Sequence, residues 1–420
     1  MRLSTVTGDQ SYIKASAKYF VVALSGGGGP MMVGRLDRPG RFEEGPLVQG
    51  HTGSVLDMDF NPFDDSMFAS ASEDTTIKIW SIPEDFEPTD ESGLAKPGTD
   101  ITECLVDLVG HKKKVTMVRY HPSASNILAS TAADGTVKIW DVEKSEAISS
   151  YDDLPDLAQD IVWDYRGDLY ATSCKDKIVR IMDGRKSTVA NSFEAHDGAK
   201  SVKLQYLGDT GKFLSVGSSK LSSREVKIWD LKNLSKPLHT EAIDTASGGM
   251  IPLYDNDTNV VYLCGKGDGI MRVYEFEDTA PYFFKLNDGF RSTNPTKGAC
   301  LVPKRGLDVM KHETACVLKL TNNQGVQPLR FFVPRKSDAF QDDIFPDTTG
   351  PVPAHTGEEW FAGSSKPPLL TSLDPARRGG TATKKKSFQT VGQLSVKLDA
   401  ATKRIEYLEG KLKENNIAFK

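Results

Sequence analysis

The 420-residue chain is poor in cysteine, with only Cys104, Cys174, Cys264, Cys300 and Cys316. They are scattered, odd in number and never in C-x-x-C spacing, which argues against a disulfide framework and against a zinc knuckle. Reduced thiols lying within strands are the expected state. Long apolar runs are missing too. The longest near the N-terminus, Tyr19 to Leu24, falls far short of the ~20 residues that span a bilayer, and residues 1–18 lack the apolar centre of a signal peptide. A cytosolic chain without a transmembrane segment is expected, and the sequons at Asn233 and Asn256 then carry no glycan. There is no G-x-x-x-x-G-K-[ST] loop and no nucleophile elbow, and the seven histidines lie apart. Gly26 to Gly29 invites a phosphate-cradle reading, but no amphipathic helix follows, so a hairpin turn is expected there. These absences leave no catalytic set, no metal set and no cofactor site, and predict a protein that is not an enzyme.

What is present is a repeat. GHTGSVLDMDFNP followed by ASASEDTTIKIW recurs sixty residues later as GHKKKVTMVRYHP followed by LASTAADGTVKIWD. His51 to Asp74 is 23 residues, as is His111 to Asp134, and six residues separate Asp74 from Trp80 and Asp134 from Trp140. VLDMDF and TIKIW alternate as half-buried strands do, MFASAS lies between them, and a tight turn sits at Glu73-Asp74. Three strands in about thirty residues leave no room for helices. The turn Asp accepts from backbone amides, the Gly-His loop brings an imidazole towards it, and a buried indole N–H needs a partner. A network of His, Asp, hydroxyl and Trp is therefore expected inside each unit. Period, GH start and W-D end match WD repeats, each of which makes one blade of a β-propeller.

Weaker copies keep the skeleton. ATSCKDKIVRIMD holds Asp176 six residues before Met182, which stands where Trp stood; AHDGAKSVKLQYL to VKIWD keeps His196 and Trp229 but lacks the turn Asp; CGKGDGIMRVYE holds Asp268 six residues before Tyr274. With a degenerate first blade from Tyr19 and a last one from Tyr282 to Pro334, the count is seven. The fold class is thus all-β: a seven-bladed WD-repeat propeller over residues 1–335, then an extension over 336–361, a disordered basic linker over 362–390 and a short helical coiled coil over 391–420. Residues 362–420 carry twelve Lys and Arg against five Asp and Glu, and since the total is −5 the remainder carries −12. An acidic main domain with a basic tail argues against nucleic acid as partner.

PRKSDAFQDDIFPDTTG at Pro334 to Gly350, then EEWFAG, is neither repeat nor generic linker. Together with GHTGSVLDMDFNP, SEDTTIKIWSIPE, CKDKIVRIMD, YDNDTNVVYLCGKGD and PKRGLDV it closely resembles the coronin family of actin-binding proteins, over roughly residues 19–361. The resemblance implies that the PRKSD segment runs back beneath the propeller as a strap, for which Phe340, Ile344, Phe345 and Trp360 are the anchors. One departure stands out: family members begin with a short basic stretch that contributes to actin binding and supplies an outer strand, and MRLSTVTGDQSYIK does not match it.

In the linker, Arg377-Arg378 and Lys384, Lys385 and Lys386 face only Asp374. From Val391 the apolar period becomes 3.5: Val391, Leu398, Ile405 and Leu412 fall at a, and Leu394, Ala401, Leu408 and Asn415 at d. The narrow seam favours self-association. RIEYLE, with Arg404 beside Ile405 and Leu408 beside Glu409, resembles the trimerisation motif of coronin coiled coils, which implies a parallel homotrimer over a dimer or tetramer. Function follows as a filament-binding scaffold: F-actin as partner, contact with the actin-nucleating complex and cofilin-type severing factors, and a place in the cytoplasm at the actin cytoskeleton and cell cortex. Candidate actin contacts are Lys112, Lys113 and Lys114 after the second Gly-His, Arg185 and Lys186 after another blade end, and the linker lysines. The alternative is a WD-repeat adaptor that recruits a signalling or ligase complex without touching actin.

Overall fold

A computed structural model describes residues 3–4, 9–38, 46–89, 96, 100–323, 325–377 and 391–414, with backbone alone for 391–397 and 410–414. Lys384, Lys385, Lys386 and Asn415 lie outside the described residues.

Seven antiparallel sheets follow one another along the chain: residues 13–48, 55–109, 115–151, 158–194, 203–244, 250–291 and 296–332. Each is a meander in which the first strand lies innermost. The seven inner strands touch in sequence, and Ile13–Ala15 of the first meets Thr296–Leu301 of the seventh, so the ring closes. Closure removes the sheet edges along the axis, which is why blades with degenerate motifs persist.

The blades share a register. In the second, Phe68 opposes Trp80; in the third, Leu128 opposes Trp140; in the fourth, Tyr170 opposes Met182; in the fifth, Phe213 opposes Trp229; in the sixth, Val261 opposes Tyr274. The position read as the Trp site therefore falls at one place in blades two to six, and all five residues are buried between sheets. The aromatic or thioether side chain fills the widening gap between blades.

Two blade boundaries differ from expectation. The innermost strand of the first blade, Ile13–Ala15, lies in the segment whose pattern was weak, because three residues are too few to show alternation. Phe283–Arg291 is the outer strand of the sixth blade, so the seventh begins at Thr296 and not at Tyr282. The seventh sheet has three strands among the described residues, where the other six have four. Its junction with the first blade is a close backbone approach: a Cβ on Gly298 would lie 1.6 Å from the Ser11 carbonyl oxygen.

The extension lies across the end of the propeller opposite the Gly-His loops. Phe345 is buried with Val309 of the seventh blade, flanked by Phe340 and Ile344. Further on, Thr356 caps the short helix α1 (Gly357–Phe361): its hydroxyl accepts from Glu359 N while Glu359 Oε2 accepts from Thr356 N at 2.9 Å. That turn seats Trp360 between the third and fourth blades, fully buried, with its Nε1 donating to Gly167 O at 3.2 Å. The His121 ring lies between Trp163 and Trp360, 4.8 Å from each.

The expected linker does not start at residue 362. Leu370–Thr371 pairs antiparallel with Thr348–Thr349, and Leu373 is buried against Phe345 and Val309. The chain doubles back and is held there by this strand pair and by Leu373, while Leu369 and Leu370 stay exposed. Beyond it, α2 spans Val391–Glu414, 24 residues rich in Leu, Lys, Glu and Ala and about 36 Å long at 1.5 Å per residue.

Candidate functional site

The buried network appears in full in two blades. In the second, His51 Nδ1 lies 2.8 Å from Asp74 Oδ2 and Nε2 lies 2.7 Å from Ser70 Oγ, which also accepts from Trp80 Nε1 at 2.8 Å. In the third, His111 meets Asp134 at 3.3 Å and Ser130 at 2.7 Å, and Trp140 Nε1 donates to Ser130 at 2.8 Å. Ser70 and Ser130 are the hydroxyls the pattern required. The Gly before each His has a packing reason, since a Cβ on Gly110 would sit 3.0 Å from the Trp140 ring.

Electrostatics hold His111 neutral and Asp74 charged. Burial pushes His111 down to about 4 against the pull of Asp134. Burial would raise the Asp74 carboxyl, but hydrogen bonds from His51, Thr76 and the Thr52 amide outweigh it and hold it well below the usual range. A closed network of this kind anchors loops and has no group free to take a proton from a substrate.

The fifth blade completes the network by another route. His196 Nε2 lies 2.8 Å from Ser215 Oγ, Trp229 Nε1 donates to the same oxygen at 2.8 Å, and Glu225 Oε1 takes the Asp place at 2.9 Å from His196 Nδ1. Glu225 was not singled out in the sequence. It sits four residues before Trp229 instead of six, and its extra methylene covers the difference.

Asp176 and Asp268, expected in such networks, are not in them. Asp176 pairs with Arg180 at 2.6 Å, and Asp268 accepts from Arg224 of the neighbouring blade at 2.8 Å. Neither blade offers a Gly-His loop, so each carboxylate takes the cation that reaches it. Arg224 itself is buried and also holds Asp244 at 2.6 Å. What all four aspartates share is the turn: Asp74, Asp134, Asp176 and Asp268 each accept, through Oδ1, the backbone N–H two residues on, at 2.9 to 3.1 Å.

The candidate contact residues divide between two faces. Lys112, Lys113 and Lys114 are exposed at the end where the inner strands begin, and Lys114 Nζ lies 3.8 Å from Glu73. Lys175 and Lys177, in the turn around Asp176, are exposed at the same end and extend that cationic surface. They were missed because only the shared blade register brings a turn of one blade beside the loop of another. Arg185 is a correction. It lies at the opposite end, pairs with Asp168 at 2.6 Å, donates to Trp360 O and Ser364 O at 2.7 Å each, and stacks 5.0 Å over the Trp360 ring. It clamps the extension, leaving Lys186 as the exposed cation of that pair.

On α2, Leu398, Ile405 and Leu408 are exposed, at 67%, 55% and 44%, so the described part of the a/d stripe has no cover within one chain. Ala401 and Arg404 are exposed, Glu409 is half-buried, and the Arg404 guanidinium lies 5.3 Å over the Tyr407 ring. Val391, Leu394 and Leu412 are helical, their side chains outside the described set. All five cysteines are free thiols, four of them buried, and burial pushes Cys264 up to about 12. Among the described residues no cluster of His, Cys, Asp and Glu is placed to hold a metal, and no helix is long and apolar enough to cross a membrane.

Seven sheets in a closed ring, three of them pinned by a His-acid-Ser-Trp network, define a WD-repeat β-propeller. Residues 45–81 and 102–141 match the family described as WD domain, G-beta repeat, and residues 326–368 match a further type of WD40 repeat. The chain is 40% identical over 362 residues to Coronin-2A of Homo sapiens, covering 84% of this chain and 67% of that protein. It is 36% identical over 376 residues to the coronin-like protein crn1 of Schizosaccharomyces pombe, covering 89% and 61% respectively. The chain thus spans about two thirds of the length of these relatives. The crystal structure of the WD40 domain of Toxoplasma gondii coronin superposes with a TM-score of 0.82 at 35% identity, covering 89% of this chain and 94% of that one. A chain of the mitotic checkpoint complex, at 12% identity and a TM-score of 0.59, shares the fold alone. The protein belongs to the coronin family.

Proposed function

We propose that the chain is an actin-filament-binding scaffold: its propeller contacts F-actin, and an oligomer formed through α2 multiplies that contact, cross-links filaments and regulates their dynamics. Membership of the coronin family carries the reading. Two features support it. The lysines of one propeller face, Lys112, Lys113 and Lys114 with Lys175 and Lys177, stand exposed as point charges for an acidic filament surface. The stripe of Leu398, Ile405 and Leu408 is uncovered in the single chain and has the spacing of a coiled-coil seam. Lys384, Lys385 and Lys386 belong to the same proposal as a second, linker-borne contact. The actin-nucleating complex and cofilin-type severing factors are the further partners of this reading, and the cytoplasmic actin cortex is its location.

Avidity is the mechanism by which a trimer would bind tightly, since linked propellers rebind before all detach and apparent affinity rises by ~10² or more. Sedimentation equilibrium and actin co-sedimentation of the full chain and of an Ile405→Asp, Leu408→Asp variant test both parts. A trimeric parent and a monomeric, weakly binding variant are expected, because charge in the seam costs several kcal/mol. A monomeric parent would end the oligomer reading. A monomeric variant that binds as tightly as the parent would end the avidity reading. Replacing Lys112, Lys113 and Lys114 with Glu should weaken binding at low salt, and an unchanged salt titration would remove them as contacts.

A further inference from the structure

The seven inner strands surround a cavity of about 290 Å³, and its mouth at the Gly-His end is crossed by the chain just before the first strand. Asp9 there accepts from the Ser201 hydroxyl, and Gln10 O accepts from Lys266 Nζ at 2.7 Å. Lys266 and Lys297 lie over the Tyr12 ring at 5.1 and 5.6 Å, so the segment is gripped by cations from the sixth and seventh blades.

Beside Asp9 is a second cavity of about 200 Å³. Lys114, Lys175 and Lys203 line it, one each from the third, fourth and fifth blades, together with Ser201. Among the lining residues Asp9 is the one carboxylate. Three ammonium groups line it against that one carboxylate, and Glu73, 3.8 Å from Lys114 Nζ and outside the lining, leaves an excess of one positive charge. Lys203 Nζ donates to Gln159 O at 2.6 Å, a neutral acceptor. The excess is felt next door: burial lowers Lys266 to about 8, Asp9 opposes that, and Lys203 and Lys297 add to it.

We propose that this cavity is a binding site for a phosphate monoester and that Asp9 is a built-in competitor for it. The volume is below the 300–1,000 Å³ of sites that enclose a whole small molecule, so a head group enters while the rest of the ligand stays outside. Lysines act as flexible point charges for phosphate, and here three of them outnumber the carboxylates of Asp9 and Glu73 that face them. Asp9 occupies the Ser201 hydroxyl that an incoming phosphate oxygen would take, and its charge repels that oxygen. Because Lys114 belongs to both surfaces, a loaded site would lower the positive charge of the face that carries Lys112 and Lys113. Binding of the anion itself does not depend on any filament.

The test is isothermal titration of the full chain with inorganic phosphate, glycerol 3-phosphate and acetate at one ionic strength set with chloride. Both phosphates should bind and acetate should not. Asp9→Asn should tighten phosphate about tenfold, the scale of one unit charge a few ångströms away in a partly wet site. The Lys114→Gln, Lys175→Gln double variant changes only exposed side chains, should keep the parent's thermal midpoint, and should weaken binding by about tenfold or more. Equal binding by the parent and the double variant, or by acetate and phosphate, would overturn the site. Glycerol 3-phosphate failing where inorganic phosphate binds would overturn the monoester. An Asp9→Asn chain that binds no more tightly than the parent would overturn the competitor.

Discussion

Blades two and three are pinned by a His between an aspartate and a Ser-Trp pair, whereas in blades four and six the turn aspartate makes an ion pair with Arg and no His or Trp joins it. The turn aspartate and its bond to the backbone two residues on are common to all four. The turn is therefore the constant part of the repeat, and the cationic or imidazole partner is whatever the blade supplies. Met182 and Tyr274 fill the Trp place by volume without the Nε1 hydrogen bond.

The comparison breaks most sharply at the large ring. Trp80→Ala or Trp140→Ala should cost ~3–5 kcal/mol, because each removes a buried indole together with the hydrogen bond it donates to the serine. Met182→Ala, at the same register without that bond, should cost ~2–3 kcal/mol by denaturant unfolding. Equal losses would show that volume alone matters and that the network adds nothing.

Acid is the next lever. His111 is neutral in the fold at about 4 against its usual 6.5, so the unfolded chain binds the proton first as pH falls. Its contribution is intact above pH 6.5 and is lost between there and about 4, on the order of 3 kcal/mol at the limit. His121, pushed down to about 3 by burial, acts in the same direction. A thermal midpoint that falls over this window, and falls less in His111→Gln, is expected. A midpoint that holds level to pH 4 would contradict the neutral network.

Charge separates the two kinds of blade more finely. Asn keeps the Oδ1 acceptor of the turn but not the charge. Asp268→Asn should therefore cost ~2 kcal/mol, since Arg224 is buried, while Asp74→Asn, facing an imidazole instead of a guanidinium, should cost ~1 kcal/mol. The reverse order in thermal midpoints would mean that the imidazole contact outweighs the guanidinium pair. Smallest is Glu225→Asp, which shortens the side chain facing His196 and should cost ~1 kcal/mol in the fifth blade. No change there would make Glu225 a bystander.

The propeller and the sites of its strongest repeats were legible from residue spacing, because side chains in a strand alternate and a turn aspartate has one local geometry wherever it occurs. His51, Asp74, Trp80, His111, Asp134 and Trp140 fall where the spacing puts them. Phe345 and Trp360 of the extension were legible as large apolar residues in a polar stretch, and both are buried. What the linear chain did not decide is contact between segments far apart in it. Asp268 meets Arg224 across two blades, Arg185 is taken out of the solvent by Trp360 from 175 residues away, Leu373 returns to Phe345, and Lys114, Lys175 and Lys203 converge on Asp9 only because three blades share one axis. Local backbone preference and alternation are properties of neighbours in sequence, while the partner of a charge is set by which groups the closed ring brings within a few ångströms of it.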